Sequence, residues 1–404
     1  MEKKKKKWMK FRHKVVRNLL CWAIFLYTRW FYGVRIEKFR QQGNRQYLIL
    51  LNHQTTFDQF FVGLAFKGPV YYMATEDIFS LGWISSVIRY LVAPIPIKKQ
   101  TTDIQAVMTT MKVAKEGGTI AIAPEGNRTY NGRTVYMNPA IAPLVRKLKL
   151  PVALFRIEGG YGVQPRWSDV LRKGKMRAYV SEVLEPEAIE SMTNEQLMDR
   201  IRQGLYVDEA AETGTYRHKK AAEYLERAIY VCPYCGLSEF ESHGDIVECK
   251  KCRRQVRYLP SKRLEGVGFE FPFPFVAQWY DYQQDVVNAL DPDAYRETPL
   301  YRDTADLSEV IVYERKQLLR KAASFALYGD RVAVDEGKEN ELVLPFGEVS
   351  AVSVLGRNKL NIYHNKTVYQ VKGDKRFNAL KYVNIFYRYK NISKGDNHGK
   401  FLGL

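Results

Sequence analysis

The sequence predicts an α/β domain built on a mixed sheet flanked by helices, followed by a small cysteine-stapled unit and a C-terminal mostly-β barrel. Three observations carry this. Two apolar runs of strand length, Tyr47-Leu48-Ile49-Leu50-Leu51 and, after Thr119, Ile120-Ala121-Ile122-Ala123, each end in a polar loop, the pattern of strands buried on both faces of a parallel sheet. Cys232, Cys235, Cys249 and Cys252 form two Cys-x-x-Cys pairs. Beyond residue 305 the chain breaks into short alternating runs separated by turn residues, which reads as antiparallel β structure. A chain of 404 residues is long for one domain, so two or three folded units are expected, each able to bury a core.

Sixty-three Lys and Arg against 44 Asp and Glu leave a net charge of +19, which points to an anionic partner: nucleic acid, an acidic bilayer or a phosphorylated substrate. Most of the excess lies in residues 1–50, where fourteen basic residues, among them Lys3 to Lys7, face only Glu2 and Glu37. The longest uninterrupted apolar run there, Leu19 to Tyr27, falls short of the roughly 20 residues needed to span a bilayer. No small-residue cleavage site follows it, and Arg29, Trp30, Phe31, Tyr32 and Arg35 continue the aromatic and basic pattern, so removal as a signal peptide is not expected. Residues 1–45 are expected to form a basic amphipathic helix lying in the interface of an anionic bilayer. The alternative is a solvated lysine tail leading into a core helix.

The run Leu48 to Leu51 delivers the chain into Asn52-His53, and Asp58 follows five residues after the histidine. Thr56 and Gln59 fit a capping box, so the expected helix starts in that turn and runs through Phe60, Phe61, Val62 and Leu64. On one helix a five-residue separation would set His53 and Asp58 about 140° apart. With His53 in the loop, Asp58 can accept a hydrogen bond from one ring nitrogen and leave the other as an outward-facing base. Taken alone, a histidine in a tight turn merely satisfies backbone groups. The second loop, Pro124-Glu125-Gly126-Asn127-Arg128-Thr129, combines a glycine, a guanidinium fork and a hydroxyl, a composition suited to phosphate. Gly117 before it fits a helix C-cap. Two polar loops at the same end of one sheet are where open α/β sheets take ligands; the bland alternative is an exposed turn with a Glu125–Arg128 ion pair.

These residues resemble the glycerolipid acyltransferases, the 1-acylglycerol-3-phosphate acyltransferases and their relatives. The first block, Asn-His-x4-Asp, is matched by Asn52, His53 and Asp58, and the third by Pro124, Glu125, Gly126, Arg128 and Thr129, with Asn127 where threonine is common. The second block is looser: Gly82-Trp83 and Ile95-Pro96-Ile97-Lys98 occupy its interval, with Lys98 where arginine is usual. Leu150 to Leu154 resembles a fourth, while Tyr136 to Pro139 stands where a lysine-and-glycine feature is expected. The likeness covers residues 45 to 190, and its first and third blocks together are the specific part. It implies that His53 removes the proton from a lysophospholipid hydroxyl attacking an acyl thioester, with Asp58 holding the imidazole. It also implies that Glu125, Gly126, Arg128 and Thr129, helped by Lys98, bind the acceptor's phosphate. The implied product is phosphatidic acid, the implied donor acyl-CoA or acyl-carrier protein, and the implied place the cytoplasmic face of a membrane, held peripherally or monotopically. No covalent acyl-enzyme is required, and Cys21 belongs to the N-terminal helix.

The cysteine pairs, thirteen residues apart, suit two knuckles joined by a hairpin around a structural zinc held by Cys232, Cys235, Cys249 and Cys252. Two disulfides or an iron–sulfur cluster fit the spacing less well. His243 falls at the hairpin tip as a bystander. The basic stretch from Cys249 to Arg257 would also suit nucleic acid, so a non-catalytic binder of nucleic acid or anionic lipid stands as the alternative function; a metal staple for a unit too small to build its own core is the simpler account.

His218 to Tyr230 reads as a helix with Ala221, Tyr224, Leu225 and Ile229 on one stripe, and Phe269 to Phe275, with prolines inside an aromatic run, as a linker or extended arm. The expected organisation is a membrane-associating helix over residues 1–45, the α/β domain over 46–215, helix plus ribbon over 216–262, a linker over 263–304 and a β domain over 305–392. The strand runs of that last domain, closed by a helical stretch from Arg376 to Tyr389, resemble pleckstrin-homology-like domains. Lys359, Lys366 and Lys372 would then meet a lipid headgroup, a protein contact being an equal alternative, and His364 lies in a turn.

Overall fold

The structure is a computed structural model that describes residues 7–75, 78–79, 83–97, 103–134, 136–311, 316–396, 399 and 401. Lys98 lies outside them. The chain forms two units: residues 1–165, 171–209 and 213–216, and residues 166–170, 210–212 and 217–404.

The first unit runs α1 (Phe11–Tyr27), β1 (Val34–Ile36), β2 (Leu48–Leu51), α2 (Asp58–Ala65), β3 (Val70–Thr75), α3 (Trp83–Leu91), β4 (Ile95–Ile97), α4 (Ile104–Lys115), β5 (Thr119–Ile122), α5 (Ile141–Leu148), β6 (Val152–Glu158), α6 (Gly160–Val163), β7 (Met176–Leu184), α7 (Pro186–Ser191) and α8 (Asn194–Leu205). Its sheet has the order β1-β7-β6-β2-β5-β3-β4. The five strands β6 to β4 run parallel, while β7 is antiparallel to β6 and β1 parallel to β7, so the sheet is mixed. Every residue of β2 and β5 is buried. Successive side chains of β2 alternate between cores: Leu48 and Leu50 pack with Val113, Val145 and Leu197 on one face, Ile49 and Leu51 with Phe61, Val62 and Phe155 on the other. A strand flanked by neighbours and covered on both faces has no position for a polar residue, which explains its continuous apolar run.

Residues 1–45 are not one helix. Helix α1 stops at Tyr27, a π turn covers Thr28–Tyr32, Gly33 takes a left-handed conformation at φ 61°, and β1 joins the sheet. No described helix is long and apolar enough to cross a membrane.

The second unit holds β8 (Val231–Cys232), β9 (Gly236–Leu237), β10 (Phe240–His243), β11 (Ile246–Cys249), β12 (Gln255–Tyr258), β13 (Leu264–Gly266), α9 (Val276–Ala289), β14 (Tyr301–Glu309), β15 (Gln317–Leu327), β16 (Arg331–Val334), β17 (Leu342–Pro345), β18 (Val349–Leu355), β19 (Lys359–His364), β20 (Thr367–Gly373) and α10 (Leu380–Ser393). Strands β14 to β20 form an antiparallel half-barrel sheet of order β17-β16-β15-β14-β20-β19-β18.

Three sequence expectations fail here. His218 to Tyr230 is irregular with a single 3-10 turn at Leu225–Arg227, Tyr224 standing at φ 73°. Ala221, Ala222, Leu225, Ala228, Ile229 and Tyr230 are all buried, which one helical stripe cannot achieve. Buried Glu226 meets Ser242 and Arg376, and Arg227 meets Asp169 and the carbonyls of Trp167 and Lys375. Residues 263–304 are no linker: they contain β13 and α9, whose Trp279 Nε1 donates to Val231 O at 2.8 Å and whose Gln283 Nε2 donates to Ala228 O at 3.1 Å. The aromatic arm packs on the same unit, Phe271 against Trp279 and Phe273 against Tyr282. The β domain opens at Tyr301 with a strand whose YRDTADLSE is too polar to stand out. Strand β14 lies between β15 and β20, and that pairing defines it.

Candidate active site

The Asn52–Asp58 loop leaves the carboxyl end of β2 between β5 and β6. Asn52 fastens its start: Nδ2 donates to Ile157 O at 2.8 Å, and Ile157 N donates to Oδ1 at 2.7 Å. Helix α2 opens at Asp58, one residue later than a Thr56 cap predicts, and its N-cap Phe57 makes no side-chain bond. Instead Asp58 turns back. Its buried carboxylate accepts from Gln54 N at 2.7 Å, Thr55 N at 2.9 Å and Thr55 Oγ1 at 2.7 Å, and His53 Nδ1 lies 2.7 Å from Oδ2. A carboxylate that only accepts requires the proton on Nδ1, so Nε2 carries the free lone pair on a ring that is 28% exposed. The outer side of the loop rests on Gln164, whose Oε1 accepts from Thr56 N and Oγ1 at 3.0 Å.

The second loop approaches from β5. Gly126 adopts φ 70°, its N–H donating to Ala123 O at 3.0 Å, a turn a side chain would strain. Glu125 Oε1 accepts from His53 N at 3.0 Å, which joins the two loops. Burial raises the Glu125 carboxyl to about 8, the His53 N–H bond opposing and the Asp58 charge reinforcing the shift. Arg128 is buried. Burial raises the Tyr32 phenol, and the charges of Asp58 and Arg128 act on it in opposite directions.

Thr129 takes a different position from the one expected of a ligand-facing hydroxyl. It is buried, donates to Asn131 Oδ1 at 2.9 Å and accepts from Asn131 N and Gly132 N, so it holds the turn. The structure thus gathers His53, Asp58 and Glu125, buries Arg128 three residues further along the same loop as Glu125, keeps Gly126 exposed, and leaves Thr129 inside the loop. Sequence reasoning missed Gln164 as a prop of the Asn52–Asp58 loop; a polar residue closing the short GYGVQ helical turn was the available signal.

Glu125 yields a pH prediction. The folded carboxyl keeps its proton to about pH 8, whereas the ordinary value is 4.5, so the native state binds more protons through that window and stability falls as pH rises across it. Relative to Glu125→Gln, the wild type should lose up to about 1.4 kcal/mol per pH unit between about pH 5 and 8 in denaturant unfolding. A wild-type-to-variant difference that stays constant over that range would overturn the assignment.

The four cysteines form a separate centre in the second unit. Their Sγ atoms all lie within 4.8 Å of one another, with Cys232–Cys252 at 3.7 Å and Cys235–Cys249 at 3.6 Å. A tetrahedral ion with S bonds of about 2.3 Å sets sulfurs about 3.75 Å apart, while a disulfide needs about 2.05 Å. The residues fit a four-thiolate metal site. Of the basic side chains around it, Lys250 pairs with Glu239, Arg253 with Glu248, Arg257 with Asp245 and Arg263 with Glu212, while Lys251 donates to Cys235 O and Arg254 stacks on Tyr234. His243 pairs with Glu241.

An imidazole held by a buried carboxylate, joined through its backbone to a second, partly buried carboxyl, stands at the carboxyl end of a mixed sheet. Residues 33–157 match the family model described as Acyltransferase, and this stretch is an acyltransferase domain with homology to 1-acylglycerol-3-phosphate acyltransferases. The chain is 23% identical over 154 residues to the 1-acyl-sn-glycerol-3-phosphate acyltransferase of Bacillus subtilis (strain 168), covering 38% of this chain and 74% of that protein. Among solved structures it is similar to the 1-acyl-sn-glycerophosphate (LPA) acyltransferase PlsC of Thermotoga maritima, with 21% identity, a TM-score of 0.38 and coverage of 48% and 80% of the two chains.

Proposed function

We propose that this chain transfers a fatty acyl group from an acyl thioester, on coenzyme A or acyl-carrier protein, to the hydroxyl of a lysophospholipid, with 1-acylglycerol-3-phosphate as the acceptor and phosphatidic acid as the product. The observation that carries the reading is the His53–Asp58 pair, with Nδ1 held at 2.7 Å and Nε2 free. Nε2 takes the proton from the acceptor hydroxyl as its oxygen bonds to the thioester carbonyl carbon. Collapse of the tetrahedral species breaks the C–S bond, and the same proton passes to the leaving sulfur. Asp58 fixes the tautomer and faces the imidazolium that forms.

Glu125 would repel a phosphate if ionised. Raised to about 8, it is largely protonated at neutral pH and can donate a hydrogen bond to a phosphate oxygen while Arg128 supplies the charge. Lys98 is a further proposed contact. The metal of the Cys232, Cys235, Cys249 and Cys252 site is proposed to be structural zinc. The C-terminal sheet is proposed to be pleckstrin-homology-like, since numbering its strands one to seven gives the order 4-3-2-1-7-6-5 with a closing helix. The chain is proposed to work at the cytoplasmic face of a membrane, with α1 in the interface.

Radiolabelled transfer from acyl-CoA and acyl-carrier protein to 1-acylglycerol-3-phosphate, glycerol-3-phosphate and uncharged lysolipids tests this. Arg128→Ala should raise the KM for the phosphorylated acceptor by about 10–100-fold, the equivalent of about 1.4–3 kcal/mol for a charged hydrogen bond, with a much smaller effect on kcat. Equal use of uncharged acceptors would overturn the phosphate assignment, and no transfer by folded protein would overturn the enzyme.

A further inference from the structure

Most exposed large apolar side chains among the described residues of the first unit sit on α1 and α3. On α1, Phe11, Val15, Leu19 and Trp22 follow helical spacing and face outward, while His13 is buried and Arg17 Nη2 donates to Phe66 O at 2.7 Å. On α3 the polarity of a domain helix is inverted: Ser85 is buried, its Oγ donating to Ile78 O, whereas Trp83 is 75% and Tyr90 60% exposed, with Ile84 and Val87 beside them. The two helices are held together. Arg12 Nε donates to Tyr90 O at 2.8 Å with its guanidinium 3.9 Å from the Tyr90 ring centroid, and Trp8 Nε1 donates to Ala93 O at 3.0 Å. Neither helix contains an acidic residue, while Lys10, Arg12, Lys14, Arg17, Arg29 and Arg89 lie on or beside them.

We propose that α1 and α3 form one face that seats on an anionic bilayer, α3 being a second interfacial helix that inserts Trp83, Ile84, Val87 and Tyr90. An apolar face carried by two acid-free helices with basic side chains on and beside them matches lipid tails below a negative surface. The inference deepens the lysophospholipid reading and rests on it for its purpose: Tyr27, at the end of α1, stacks on Phe57 at 5.1 Å, next to Asp58, so the rim of this face borders the catalytic loop.

The test compares the full chain with Ile84→Ser/Val87→Ser, with Leu19→Ser/Trp22→Ser and with all four changes, by sedimentation with phosphatidylcholine vesicles and with vesicles containing about one third phosphatidylglycerol. Each pair should weaken partitioning into anionic vesicles about tenfold, with the effects multiplying, and neutral vesicles should bind less. Wild-type partitioning by the α3 variant would overturn the proposal, as would equal binding to neutral vesicles. A lipid-free dimer in light scattering that the α3 variant abolishes would assign the face to a second copy. Transfer to a dissolved short-chain acceptor is measured alongside and should be unchanged in the α3 variant. Transfer without α3-dependent partitioning sinks the surface alone; α3-dependent partitioning without transfer sinks the enzyme alone.

Discussion

His53→Ala should lower acyl turnover by about 10²–10⁴-fold, the range that a positioned general base contributes, with little change in acceptor binding. The ring is partly exposed and its removal leaves the fold intact, because the loop is held by other groups: Asn52 on Ile157, Asp58 on Gln54 N and Thr55 N, and Glu125 on the His53 backbone rather than its ring. Asp58→Asn is the less clean experiment. The Asp58 carboxylate accepts two backbone N–H groups and the Thr55 hydroxyl as well as the imidazole, and an amide would turn an NH₂ group towards some of these donors. That variant should therefore lose thermal stability as well as turnover, by about 1–3 kcal/mol for a buried group left unpaired. Single-turnover rates with circular dichroism as the folding control separate the two. Unchanged turnover in a folded His53→Ala protein would end the general-base account.

Removing the proposed structural zinc should unfold the ribbon and loosen the half-barrel while leaving the first unit folded. A structural zinc contributes an apparent binding free energy of about 10 kcal/mol or more, comparable with the whole stability of a domain. The loss spreads because the ribbon's backbone is part of the unit's core: Val231 O accepts from Trp279, and Tyr230 O accepts from the Tyr301 hydroxyl at 2.9 Å. The first unit has its own two-sided core around β2. Chelation, or Cys249→Ser, should therefore expose residues of the second unit to protease and release one zinc per chain, with the core around β2 in the first unit still protected. An unchanged protease pattern after complete metal removal would overturn this.

Local information was enough for part of this protein. The apolar run of β2 and its exit into His53 and Asp58 could be read because a strand buried on both faces admits no polar residue, and because here the carboxylate that holds the imidazole lies in the same short loop. The cysteine knuckles were legible for a similar reason, since thiolate ligands at short fixed spacing leave few geometries. Tertiary structure alone decided what depends on distant partners. It made β14 a strand through its neighbours and turned Thr129 inward to hold its own loop. It broke the apparent helix at His218 to Tyr230, where buried Glu226 and Arg227 find charged partners more than fifty residues away. It set the apolar stripe of α3 outward beside α1. Sequence pattern records which faces are apolar, but only packing settles what covers them, because the free energy of burial depends on the area a partner removes from water and not on the order of residues along the chain.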